Sequence, residues 1–184
     1  MELSQVINER RSVRFYRKDP VPDQLVEKIL EAARMAPSWA NFQVARFIAV
    51  KDPEIRKQVQ AAVPQGNPAY NALGDAPLIL VAAGRRGRSG HYKTGPVNRN
   101  GDYAMFDVAL AVENAILKAR ELGLGTVLVG VFNVDKVKEA LKLPAEIDPF
   151  ILTPLGYPET FDLTAPPRKE ISELLYWDRY EEKK

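Results

Sequence analysis

Apolar positions along the 184-residue chain change their period several times, and each change predicts an element. Leu3 to Arg10 predicts a short helix with Val6 and Ile7 facing inward. Pro20 and Pro22 mark a turn. Pro22 followed by Asp23 opens a second helix, because proline is tolerated in the first helical turn and an acid suits the positive helix end. Val26, Ile29, Leu30 and Ala33 then recur at helical spacing until Pro37 stops the run. Phe47 to Val50 predicts a short strand. Asp52 and Pro53 read as the cap and first residue of a helix reaching about Val63. Pro77 to Ala82 is a continuous apolar run between Asp75 and Gly84, as expected of a strand covered on both faces.

From Gly84 to Gly101 the pattern has no period, and its glycines predict a loop long enough to be functional or mobile. Asp102 is placed to cap a helix from Tyr103 to Leu122, which Gly123 ends. Apolar or small residues lie on nearly all faces of that helix, so the core or a partner subunit should bury it. Thr126 to Phe132 is β-rich, and Asn133 caps a helix ending near Leu143 and Pro144. Phe150 to Tyr157 predicts a strand that is at an edge, or ends, at Pro154. The tail, Asp162 to Lys184, carries Leu174, Leu175, Tyr176, Trp177 and Tyr180, which need a surface to pack on, in this chain or another. Strands and helices mix without strict alternation, which favours an α+β fold over a doubly wound sheet.

The length fits a single domain over residues 1–184. With 46% apolar and 27% charged residues the chain is globular in composition and not disordered. The absence of cysteine excludes disulfides, iron–sulfur clusters, thiolate zinc sites and cysteine nucleophiles. The one histidine, His91, excludes a multi-histidine metal site; beside Ser89 it lacks the elbow motif of a serine hydrolase. A net charge of +2 is too mild to call for nucleic acid. The N-terminus has no apolar run after a basic start. The longest mostly apolar stretch, Ala104 to Ala119, is interrupted by Asp107, Glu113, Asn114 and Lys118. Neither a signal peptide nor a membrane span is expected, and the expected compartment is the cytoplasm. The stretch from Gly123 to Leu128 lacks the third glycine of a dinucleotide fingerprint and follows a helix where it should follow a strand.

Two segments carry chemistry. Arg10-Arg11-Ser12-Val13-Arg14 sets three guanidiniums and a hydroxyl within five residues. A guanidinium grips phosphate through two parallel hydrogen bonds, and an extended chain would aim Arg10, Ser12 and Arg14 to one side and Arg11 to the other. The same arginines would also suit the negative end of the preceding helix with no ligand at all. Ala36-Pro-Ser-Trp-Ala-Asn-Phe-Gln43 mixes small, amide and aromatic residues just after a helix stop, and also reads as an ordinary turn around a buried Trp39.

Together with Gly123-Leu-Gly-Thr-Val-Leu-Val-Gly130, Pro154-Leu-Gly-Tyr-Pro158 and Pro166-Pro-Arg-Lys169, these segments resemble the FMN-dependent nitroreductase family, in the family's order and along most of the chain. The resemblance implies an α+β fold with a central, mostly antiparallel sheet flanked by helices, in an intertwined homodimer with FMN at the subunit interface. It implies that Arg10 and Ser12, with Arg11 beside them, hold the FMN phosphate and that Arg168 completes that site. Arg14 would lie near the ribityl chain and the pyrimidine edge. Pro37, Ser38, Asn41 and Gln43 would reach the flavin from the other subunit. Leu128, Val129 and Gly130 would lie along the isoalloxazine, with an amide near N5. Two departures stand out. Val44 replaces the proline that usually follows the glutamine, and no motif marks the contact to flavin N3 or O2, for which Gln65 and Asn67 are candidates.

The resemblance implies an oxidoreductase that uses FMN to pass hydride from NADH or NADPH to nitroaromatic, quinone or related small-molecule acceptors in a ping-pong cycle. The flavin performs the hydride transfer, so no nucleophile, metal or tuned histidine is required, in keeping with the inventory. Two rival readings are a same-fold flavin protein devoted to reductive dehalogenation or flavin breakdown, and a basic module binding nucleic acid or an acidic protein through Arg10, Arg11, Arg14 and the 85–99 loop. The expected partners are a second copy of the chain and a small molecule, with neither nucleic acid nor membrane.

Overall fold

In the computed structural model, which describes residues 1–162 and 164–180, helix α1 (Leu3–Glu9) buries Val6 and leaves Ile7 exposed. Helix α2 (Asp23–Arg34) starts directly after Pro22 and turns Val26, Ile29 and Ala33 inward. Strand β1 (Ala45–Val50) leads to α3 (Pro53–Ala61), where Asp52 Oδ1 accepts the N–H groups of Glu54 and Ile55 at 2.9 and 3.0 Å. Helix α4 (Tyr70–Asp75) was not visible as a period, since six residues hold too few turns to show one. Strand β2 (Leu78–Arg85) follows. Inside the predicted loop, β3 (His91–Tyr92) and β4 (Gly95–Pro96) form a small hairpin. Asp102 Oδ1 then accepts the Ala104 N–H at 2.8 Å at the start of α5 (Ala104–Glu121). The chain continues through β5 (Gly125–Thr126), α6 (Val134–Leu141), β6 (Ile147–Gly156) and α7 (Ile171–Leu174). Asn133 caps α6 by accepting the Lys136 N–H at 2.9 Å. Of the tail, only Leu163 and the charged residues 181–184 lie outside the described residues, and Leu174, Trp177 and Tyr180 are exposed in this chain.

The main sheet runs in the order β1-β2-β6-β5, and every neighbouring pair is antiparallel. Leu78 to Gly84 is buried throughout, as its unbroken apolar run requires. Successive side chains of β2 point to opposite faces. Ile79 and Val81 pack with Val59, Leu73 and Val137 from α3, α4 and α6. Leu78 and Leu80 pack with Ile29, Ala111 and Ala115 from α2 and α5. The sheet is therefore a middle layer between two helical layers.

Two strand expectations are corrected, and one residue explains both. The predicted strand from Thr126 to Phe132 keeps only Gly125 and Thr126 in the ladder, and touches β6 again through the isolated bridge between Val129 and Leu152. The register through Thr126–Leu155 and Val129–Leu152 sets Val127 opposite Pro154, which has no N–H to give. Pro154 is also not in an edge strand. Leu152 exchanges both backbone bonds with Val129, at 2.9 and 3.0 Å, so the two-residue period turns the Pro154 nitrogen toward the same flank and away from β2. The β2–β6 ladder thus loses nothing to the proline.

The segment after α1 packs against β5 closely enough to need a glycine. A Cβ on Gly125 would lie 2.8 Å from Cβ and Cγ2 of Val13 and 2.9 Å from Cγ1. Gly125→Ala should destabilise the protein by about 1–3 kcal/mol, the usual range for overpacking. Adding Val13→Ala should recover part of that loss. A urea-denaturation double-mutant cycle reads the coupling, and additive losses would contradict the close approach.

Candidate functional site

Beyond α1 the chain runs extended along the β5 edge. The Val13 N–H donates to Thr126 O at 2.9 Å, and Tyr16 bridges Pro158. Val13 and Tyr16 are buried, while Ser12, Arg14 and Phe15 face outward. The Tyr16 hydroxyl donates to Val13 O at 2.8 Å, which pins the segment from beneath, and burial pushes this phenol well above its ordinary pKa, against the charge of Arg14.

The three arginines fare differently. Arg11 turns back and donates from Nη1 to the carbonyls of Asn8 (2.6 Å) and Arg10 (2.8 Å), so it serves the C-terminal end of α1. Arg14 donates to Ser12 O at 3.3 Å. Among the described residues, the Arg10 guanidinium and the Ser12 hydroxyl make no hydrogen bond, and Arg10 makes no ion pair. Leu128 and Gly130 are exposed on the same flank, either side of the buried Val129 and just beyond the Thr126 that Val13 pairs with. The structure therefore brings Arg10 to Arg14 and Leu128 to Gly130 to one sheet edge. The C-terminal arm starts along that edge, where Glu159 N–H donates to Phe15 O at 3.1 Å. Farther along the arm, Arg168 donates to its own neighbours' carbonyls, at 2.9 Å to Pro166 and 3.4 Å to Pro167.

Pro37 to Gln43 lies elsewhere. It enters β1, whose Ala45 pairs with Gly84, itself paired with Asp148 at the start of β6; Thr126 pairs with Leu155 near the end of β6. The two segments occupy diagonal corners of the sheet. Three strand spacings, about 14 Å, separate them across it, and roughly 20 Å separates them along it. Within one chain they do not meet.

The second corner has its own architecture. Ala40, Asn41 and Gln43 all have positive φ (46°, 57° and 50°), an uncommon conformation for residues with a Cβ. The Gln43 N–H donates to Ser38 Oγ at 2.9 Å, closing the turn. The Trp39 N–H donates to Oδ1 of Asp107 at 3.0 Å, and the Ser89 hydroxyl donates to Oδ2 at 2.6 Å. Asp107 is only 2% exposed, and this buried carboxylate ties the turn to the start of the hairpin loop. The Trp39 ring meets Phe42 at 5.4 Å, Tyr92 at 5.6 Å and Tyr103 at 6.4 Å between centroids. An open groove of about 490 Å³ runs beside the turn, lined by Pro37, Ser38, Gln43, Phe47 and Asp107 among others. On its rim Arg34 hydrogen-bonds Glu31 and holds that carboxyl below its ordinary pKa.

Sequence reasoning missed Asp107 and Ser89. An acid at helical spacing with Ala104 and Ala111, on the apolar stripe of α5, was the available signal, since a buried carboxylate must be hydrogen-bonded. The basic 84–101 loop is also less cationic than its sequence. Arg85 approaches Glu146 at 3.8 Å, and Arg86 pairs with Asp102 at 3.2 Å and Asp148 at 3.9 Å. Arg88 lies over the Phe42 ring at 5.6 Å. Asn67 is occupied as well, its Oδ1 accepting the Ala69 N–H at 2.9 Å. Among the described residues no helix is long and apolar enough to cross a membrane, and no cluster of metal-ligating side chains occurs.

The model of the nitroreductase family matches residues 7–72 and 65–157. The chain belongs to the nitroreductase family. A Methanothermobacter thermautotrophicus protein described as a candidate NADH dehydrogenase/NAD(P)H nitroreductase is 30% identical over 176 residues, covering 91% of this chain and 85% of its own. The FMN reductase (NAD(P)H) of Bacillus subtilis is 28% identical over 168 residues, covering 85% and 66%. A crystal structure of a nitroreductase family protein from Clostridium difficile superposes with a TM-score of 0.82 at 26% identity, covering 98% of this chain and all 100% of that one. The mostly antiparallel sheet flanked by helices is thus the fold of this nitroreductase-family chain, as its motifs implied.

The Asp107 tie carries a prediction. Asp107→Ala strands two donors in a buried place and should cost about 2–4 kcal/mol in urea denaturation. Hydrogen exchange should rise at the Trp39 amide and through the 89–103 segment ahead of the β2 amides. Equal protection in both variants would mean that the turn and the loop hold without Asp107.

Proposed function

We propose that the chain, as one domain over residues 1–184, is a cytoplasmic FMN-dependent oxidoreductase that uses NADH or NADPH to reduce nitroaromatic, quinone or related acceptors. The observation that carries this reading is the Arg10–Ser12 cradle, a guanidinium and a hydroxyl with no partner of their own among the described residues, beside an outward-facing strip from Leu128 to Gly130. The family relatives named for NAD(P)H and FMN support it. Bound FMN would supply the redox chemistry, taking hydride from the nicotinamide and passing it to the acceptor in the two halves of a ping-pong cycle.

The chain's own residues then have separate tasks. Arg10 and Ser12 bind the phosphate through charge-assisted hydrogen bonds, with Arg168 closing the site from the C-terminal arm. Arg11, committed to α1, adds charge at short range. Arg14 places a positive charge by the pyrimidine edge, which stabilises negative charge developing there. The backbone of Leu128 to Gly130 lines the ring. Pro37, Ser38, Asn41 and Gln43, at the far corner of the sheet, serve the site of a second copy, so that two chains complete each site.

The basic-module reading loses support from the same geometry: Arg11, Arg85 and Arg86 are already engaged. Reductive dehalogenation or flavin breakdown remains chemistry that the same fold would accommodate. Steady-state NAD(P)H oxidation with a quinone or nitro acceptor separates it from the proposed activity.

The purified protein should be yellow. Titration of apoprotein with FMN should show Arg10→Ala weaker by about 1.5–3 kcal/mol, the range of hydrogen bonds to a charged group. Arg11→Ala should lose less, because its guanidinium is spent on α1. A colourless protein that binds no FMN overturns the reading. Sedimentation equilibrium should report a mass twice the 20.6 kDa of the chain. A monomer with full FMN affinity would contradict the two-chain site.

A further inference from the structure

Next to the phosphate cradle the sequence sets a problem. Glu9 directly precedes Arg10, and a free carboxylate there would either pair with Arg10 or repel an incoming phosphate. The fold removes it. Both Glu9 oxygens are taken: Oε1 accepts from Gln5 Nε2 at 2.8 Å and Oε2 accepts from Arg120 Nη2 at 2.7 Å. Arg120 comes from the last turn of α5, and its side chain is only 14% exposed. The same guanidinium lies over the Phe161 ring, 3.9 Å from its centroid. Phe161 stands three residues past Pro158, where the C-terminal arm bridges Tyr16. One side chain thus touches the residue before Arg10 and the root of the arm that carries Arg168.

The balance of charge favours an anion here. Within the 9–14 segment and its bonded partner, four arginines (Arg10, Arg11, Arg14 and Arg120) stand against one carboxylate, Glu9. Among the described residues, the buried side-chain polar atoms left without a hydrogen bond are Nε of Arg11, the neighbour of Arg10 in the chain, and Nε of Arg120, which bonds the neighbour on the other side, Glu9.

We infer that Arg120 is a positioning residue of the phosphate site: it sequesters the Glu9 carboxylate so that Arg10 stays free for phosphate, and it anchors the C-terminal arm through Phe161. Arg120 does not touch the ligand. The inference rests on the FMN reading above and extends it to a residue outside the motifs.

Riboflavin, which lacks the phosphate, separates this role from a structural one. Arg120→Met keeps an apolar stem over Phe161 and releases Glu9. FMN affinity should then fall by at least about tenfold, the scale of one unmatched charge several ångströms away at an effective dielectric between those of the protein surface and water. Riboflavin affinity should not change, and the FMN deficit should shrink as salt rises. Adding Glu9→Gln to Arg120→Met should restore most of the FMN affinity. Glu9→Gln alone keeps Arg120 stacked on Phe161 and should bind FMN at least as tightly as wild type, which tests the idea even if Arg120→Met folds poorly. Equal losses for FMN and riboflavin, an unchanged FMN affinity in Arg120→Met, or a weaker Glu9→Gln would each overturn the inference. Wild-type protein that binds riboflavin and FMN equally would overturn it together with the phosphate cradle. Wild type that binds neither flavin would remove the FMN reading itself.

Discussion

The structure depends on a strand with no free face. Leu78 to Gly84 is buried on both sides, with α3, α4 and α6 against one face and α2 and α5 against the other. A strand clamped in this way leaves no polar surface on the middle of the sheet. Room for exposed polar side chains is confined to the rim, where the chain enters or leaves an element. The Arg10–Arg14 segment and the Pro37–Gln43 turn both lie there, one beyond α1 and the other beyond α2. They occupy diagonal corners, so within one chain the two segments face different directions and do not meet.

How much of this was legible in the sequence follows from the range of each signal. The β2 run, the Asp52–Pro53 and Asn133 starts and the stop at Gly123 are local, set by side chains within a turn of the residues they affect, and the structure reproduces them. The family's motifs named the candidate residues. What they could not convey was occupancy. Arg10 and Arg11 are the same residue type side by side, yet one is open and the other bonded to α1, because the chain direction after Glu9 decides which guanidinium reaches back. The length of β5 was misread for a related reason. The break is caused by Pro154, which is distant in sequence and becomes Val127's neighbour only when the strands pair.

Asp107 shows the same limit from the other side. As a letter in the sequence it was a blemish in an apolar helix. In the fold it joins a turn with three residues at positive φ to the loop that leads into the hairpin. Strain of that kind persists only when the surroundings over-determine it, and a buried carboxyl that accepts from two donors is such a restraint. The aromatic contacts of Trp39 with Tyr92 and Tyr103 add apolar surface around the same point.

The shortness of the outer β5 edge also bears on solubility. A sheet edge with consecutive free donors and acceptors is a template on which another molecule's strand can dock. Here the outer flank is paired at Thr126, whose carbonyl accepts the Val13 N–H, and Val129 turns its backbone groups inward to Leu152, so Leu128 and Gly130 turn theirs outward as an isolated pair. A pair of that length can grip a small ring. It is too short to hold a foreign strand in register, so this edge gives aggregation no foothold.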